Sequence, residues 1–131
     1  MSAENVETVR RGYAAFARGD MEAFLALVDP AVEWTEPEEL PYGGTHRGHQ
    51  GLGDLAARWR ATYDDMRVEP QEYLDAGDSV VVIGRYRMTA HGGGRFDASF
   101  VHVWDLSGGR IARYRDFTDK AAKLERAMAA A

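Results

Sequence analysis

Residues 98–106, Ala-Ser-Phe-Val-His-Val-Trp-Asp-Leu, alternate with the two-residue period of a β-strand. Phe100, Trp104 and Leu106 fall on one face, and His102 falls among them. An imidazole in an aromatic row is either a core histidine bonded to a neighbour or a group that handles protons. The other residues on that face choose between the two. Next, Leu106-Ser107-Gly108-Gly109-Arg110 reads as a hairpin turn, with a further strand over residues 110–118. Upstream, residues 67–75 and 79–91 read as strands, and the turn His91–Arg95 joins the second to residues 95–106. The second half is therefore an antiparallel meander.

Helical spacing dominates the first half. Val6, Val9, Tyr13 and Phe16 mark one helix, which Gly19 can end in a left-handed conformation. Asp20 is a good N-cap for a second helix carrying Met21, Phe24, Leu25 and Val28, with Pro30 as its stop. The tripeptide Arg18-Gly19-Asp20 then reads as a helix junction. Residues 31–37 alternate, placing Val32, Trp34 and Glu36 together, and a loop rich in glycine and proline follows to Gly51. Leu52, Leu55 and Trp59 mark a third helix, and Asp119 caps a short C-terminal one with Leu124 and Met128. Three helices followed by a meander predict a single α+β domain over residues 1–131, with the helices on one side of the sheet. A sheet bent around a helix can leave a conical cavity.

The formal charge of −5 on 131 residues argues against nucleic acid or an anionic membrane as partner. The absence of cysteine excludes disulfides, thiolate metal sites and cysteine nucleophiles. The first twelve residues hold no apolar core of signal-peptide type, and no apolar run approaches membrane-spanning length, so a cytoplasmic protein is expected. His46 and His49 lie three apart without a carboxylate cluster, which makes no metal site, and no cofactor motif is present.

Glu36, His102 and Asp116 have a claim on one partly apolar compartment. The last strand puts Ala112, Tyr114 and Asp116 on one face and Ile111, Arg113, Arg115 and Phe117 on the other, and hydrophobicity alone does not choose the inner one. A carboxylate in apolar surroundings becomes a stronger base, and a histidine can give or take a proton near neutrality. That is the minimum apparatus for moving a proton beside a carbonyl. Trp34, Phe100 and Tyr114 are the expected lining, Tyr42 before Gly43-Gly44 could close over a ligand, and Arg85 could meet an anionic group. The competing reading is structural: Glu36 as a solvated strand end, and Asp116 paired with Arg115, Arg85 or Arg87.

The opening VRRGYAAFARGDMEAFLALVDPAVEWTEP, the loop PYGGTHRGHQGL and the ending GGRIARYRDFTD resemble SnoaL-like proteins of the nuclear transport factor 2-like superfamily. Ketosteroid isomerase and limonene-epoxide hydrolase are relatives there. The resemblance implies a cone-shaped (cystatin-like) fold of three helices on a strongly bent, mostly antiparallel sheet with a short C-terminal helix. It also implies a homodimer through the sheet and a small apolar, carbonyl-containing ligand. Its chemistry would be of isomerase or polyketide cyclase type; a binding domain without catalysis is the alternative. By resemblance to ketosteroid isomerase, Glu36 before Pro37 stands at the general base and His102 at the acid of the oxyanion hole. The oxyanion tyrosine falls at Gly12, with Tyr13 one residue and about 100° further round the helix. By resemblance to SnoaL-type cyclases, Asp116 is the base. By resemblance to the epoxide hydrolase, Arg85 stands for its arginine, while Arg87 replaces its second carboxylate, so epoxide hydrolysis is the third reading.

Overall fold

The computed structural model describes residues 2–130. The first helix, α1 (Ser2–Ala17), ends where Gly19 takes φ +68°, a conformation open to glycine at little cost. Asp20 then caps α2 (Met21–Ala26), its side chain accepting from the Ala23 amide at 3.0 Å. The expected stop at Pro30 is corrected: α2 ends at Ala26, and Pro30 lies inside β1 (Val28–Glu36). Proline is tolerated there because the ladder is irregular between Val28 and Glu33, where no regular strand amide is needed.

The glycine-rich loop is shorter than expected. It contains β2 (Gly44–Arg47), an edge strand paired antiparallel with β1, and passes at once into α3 (Gly48–Thr62). β3 (Tyr63–Ala76) starts directly at the end of α3, four residues before the predicted start. Its first half, Tyr-Asp-Asp-Met-Arg-Val, alternates poorly because a bulge falls between Tyr63 and Asp65, and a second falls around Pro70. β4 (Ser79–Ala90), β5 (Arg95–Ser107) and β6 (Arg110–Thr118) match the meander. α4 (Lys120–Ala130) closes the chain. At its start Thr118 Oγ1 accepts from the Lys120 amide at 3.2 Å, while Asp119 forms an ion pair with Lys123 at 3.8 Å.

The six strands run in the order β2-β1-β6-β5-β4-β3, antiparallel throughout except for the parallel pair β1 and β6. This is the mostly antiparallel bent sheet expected of the cone. α1, α2 and α3 pack on its inner face, and α4 packs on β5 and β4. The ambiguous last strand is resolved by register. Ala112 is an extra residue opposite the Asp105–Leu106 step, so the side-chain parity changes there. Ile111 on one side of this bulge and Tyr114 and Asp116 on the other all turn inward. Among the described residues no helix is long and apolar enough to cross a membrane.

Candidate functional site

Cross-strand register assembles the floor of the cone. On β5, β6 and β1 the inward residues pair as His102 with Asp116, Trp104 with Tyr114 and Trp34 with Tyr114. Trp34 stacks on Tyr114 with centroids 3.7 Å apart, and Phe100 stacks on His102 at the same distance. Gly84 on β4 makes room for Phe100: a Cβ there would lie 2.5 Å from the ring. From the helical side Tyr13 of α1 reaches His102, so the residue beyond Gly12 does point into the cone.

The polar groups of this floor form one chain of hydrogen bonds, and its direction is fixed by its ends. Trp104 Nε1 can only donate, and it donates to Tyr13 Oη at 3.0 Å. Tyr13 then donates to His102 Nδ1 at 2.6 Å. At the far end a carboxylate only accepts, so Tyr86 donates to Asp116 Oδ2 at 2.6 Å, and His102 Nε2–H donates to Tyr86. The imidazole is thereby held as its Nε2–H tautomer. Lys120, the first residue of α4 and 2% exposed, places Nζ 3.0 Å from Asp116 Oδ2 and 3.5 Å from Glu36 Oε1. Trp34 Nε1 donates to Glu36 Oε2 at 2.8 Å.

Burial sets the charges. It pushes Glu36 up to about 7, an effect that the Lys120 ammonium only partly offsets. It pushes His102 well below its ordinary value, and the Lys120 charge adds to that, so the ring is neutral near pH 7. Burial alone would lower Lys120, but Glu36 and Asp116 more than compensate and raise it, so it is a cation. Tyr13, Tyr86 and Tyr114 are pushed up, first of all by burial, and remain protonated.

Above this floor lies a narrow chamber of about 40 Å³, bordered by Tyr13, Glu36, Tyr86, His102, Lys120 and the aromatic wall. Beside it lies a wider vestibule of about 390 Å³ between α1, α2, α3 and the start of β3. Phe16, Phe24, Trp59 and Met66 border both spaces. Glu36, His102, Tyr13, Trp34 and Tyr114 are thus brought together at the chamber. Asp116 stands behind it, linked to it through Tyr86 and Lys120. Phe100 lies beneath His102. Tyr42 is fully buried and bonds Tyr63 Oη at 2.6 Å, away from the chamber wall. Arg85 lies apart from all of these, on the outer sheet face, 3.5 Å from Asp97, and Arg87 meets Glu69 on that face at 3.0 Å. His46 and His49 bond the backbone carbonyls of Tyr42 and Val28, and no group of three metal-ligating side chains occurs among the described residues.

Tyr86 and Lys120 escaped the sequence reading. Tyr86 was accessible by strand parity, since it falls in step with Val80, Val82 and Met88 on β4. Lys120 carries a weaker signal, a cation four residues after Asp116, which resembles any solvated helix start.

A family model, the SnoaL-like domain, matches residues 9–114. This chain belongs to the SnoaL-like family. The SnoaL-like chain is 35% identical to the uncharacterized protein Rv0034 of Mycobacterium tuberculosis over 126 residues, 92% of this chain and 93% of that one. It is 36% identical to a crystal structure of a nuclear transport factor 2-like protein of unknown function from Burkholderia pseudomallei, with a TM-score of 0.89 over 94% of this chain and 95% of that one. It is 34% identical to TerC co-crystallised with polyporic acid, again with a TM-score of 0.89, over 95% of this chain and 98% of that one.

Proposed function

We propose that this protein binds a small aromatic, carbonyl-bearing molecule through the vestibule and moves a proton on it without a cofactor, as an isomerase or cyclase does. One observation carries the reading. A continuous buried row, Tyr13–His102–Tyr86–Asp116–Lys120–Glu36, underlies an aromatic chamber and joins proton donors and acceptors of matched direction. The likeness to TerC, co-crystallised with polyporic acid, supports the ligand class: polyporic acid is a dihydroxybenzoquinone bearing two phenyl rings.

Glu36 is the base in this scheme, since it borders the chamber while Asp116 does not. With a pKa of about 7 it is balanced between taking and returning a proton. A C–H bond next to the ligand carbonyl breaks, its proton goes to a Glu36 oxygen, and the electron pair moves onto the carbonyl oxygen. The Lys120 ammonium stabilises that oxyanion with the N–H that Asp116 and Glu36 leave free, and Glu36 returns the proton to a second carbon. Asp116, Tyr86 and neutral His102 hold Tyr13 in place at the chamber wall. Deuterium exchange into a panel of enolisable ketones and hydroxyquinones tests the scheme. Glu36→Gln is expected to slow exchange by about 10²-fold or more. Exchange at the parent rate in that variant removes Glu36 as the base.

A second reading, binding without chemistry, is favoured by the small chamber, which holds about three waters' worth of space. Tight binding of a quinone with no exchange above the uncatalysed rate would select it. We also propose a homodimer through the outer face of the sheet. Leu74, Val81, Ile83, Val101, Val103 and Phe117 lie there in adjacent register, flanked by the Arg85–Asp97 and Arg115–Asp105 pairs.

A further inference from the structure

Gly12 lies in the interior of α1 and is buried. A glycine there weakens a helix relative to alanine, so its presence calls for a reason. Backbone conformation supplies none, because Gly12 is not among the glycines with positive φ. Close packing supplies none either. A Cβ at Gly12 would meet its nearest neighbours at ordinary contact distances, 3.5 Å from Phe24 Cε1 and 3.8 Å from Ile111 Cδ1. Gly43, Gly84 and Gly94 differ: a Cβ at each would run into the carbonyl of Pro37, Glu69 and Ala127 respectively. Alanine would fit at Gly12 and would strengthen the helix.

What remains is the chamber. Gly12 borders it, and so does Phe16, four residues further along the same helix face. Phe24, the first side chain a Cβ would meet, borders it as well. One methyl group is a large share of a space of about 40 Å³. We propose that Gly12 is a specificity-determining residue: by carrying no side chain it keeps the chamber open and sets how bulky an end group a ligand can place there. The inference rests on the small-molecule reading above and deepens it. The end of the ligand that enters the chamber is a slim one, and each carbon added to it is felt at Gly12.

Gly12→Ala tests this, with Gly53→Ala as its control. Gly53 is an exposed glycine of α3 with nothing within 4 Å of the place its Cβ would take, so it carries the same helix effect away from the chamber. Three quantities are compared with the parent: the urea midpoint, the binding of xenon followed by its chemical shift, and deuterium exchange into acetone and butanone. Xenon reports small apolar spaces without any chemistry. Both variants should show raised midpoints, and G53A should keep parental xenon binding and exchange. G12A should bind xenon more weakly, and its exchange should slow about tenfold or more for butanone and less for acetone. A lowered midpoint in G12A overturns the proposal, since the glycine would then be a packing requirement. Parental xenon binding in G12A, equal slowing of the two ketones, or a parent that takes up no xenon overturns it too. A parent that exchanges neither ketone ends the proton-transfer reading alone: weakened xenon binding in G12A then still supports Gly12 as the residue that sets the size of the chamber.

Discussion

Burial favours the uncharged form of a titratable group, so one dry chamber moves Glu36 up and His102 down, and the two oppose each other as pH changes. For Glu36 the native state holds a proton between the ordinary value of 4.5 and about 7 while the unfolded chain has lost it. Its contribution to stability therefore falls as pH rises through that window and is flat above it. For His102 the native ring stays neutral while the unfolded one gains a proton below 6.5, so stability falls as pH drops through that value. Glu36→Gln should abolish the first slope and keep the second. Urea midpoints at pH 5, 6, 7 and 8 should then rise towards neutrality and stay level, where the parent declines between pH 6 and 8. Lys120 is the counterweight. Lys120→Met strands two buried carboxylates and should cost about 3–5 kcal/mol at pH 8. At pH 5.5 the cost should be smaller, because Glu36 can neutralise itself; an equal cost at both pH values would show that Lys120 does not charge-pair with Glu36.

At the level of strands and helices, β4 fits between the Glu69 carbonyl and Phe100 because Gly84 has no side chain: a Cβ there would lie 2.3 Å from the carbonyl oxygen and 2.5 Å from the ring. Gly84→Ala should destabilise by about 1–3 kcal/mol through overpacking and displace the ring from His102. Phe100→Leu in the same chain should recover part of the loss in chemical denaturation. The elements that were legible in the sequence are those with undisturbed periodicity. β4 and β5 alternate cleanly, Asp20 is a capping residue with its partner amide in place, and the glycine turns permit positive φ. β2 and the first half of β3 were not legible. β2 is four residues of half-exposed edge, and β3 carries two bulges that break the two-residue period. The inward face of β6 depended on a single extra residue, Ala112, which no hydrophobicity pattern reveals. His102, Glu36 and Trp34 were found because strand parity marks them; Lys120 was not, because a lysine at a helix start is ordinarily solvated.

Considered as one body, the protein leaves the back of its sheet incompletely covered. Phe117 is 55% exposed and Leu74 42%, with Val81, Ile83, Val101 and Val103 between them in register. This apolar area is the face through which the proposed dimer would form. Two copies meeting back to back through a two-fold axis would bury the same patch on each. Sedimentation at micromolar concentration should report a dimer, and Phe117→Asp should shift it to monomer while ligand binding in the cone is retained. A parent protein that sediments as a monomer would end the dimer proposal.

The chain has three tryptophans, and Trp34, Trp59 and Trp104 all border the one chamber. Excited at the red edge, where its six tyrosines do not absorb, this molecule therefore emits only from indoles that border the space where a guest would lodge. A quinone, which accepts excitation energy and electrons readily, should quench that light as it enters, so that an unlabelled sample in a cuvette records its own occupancy.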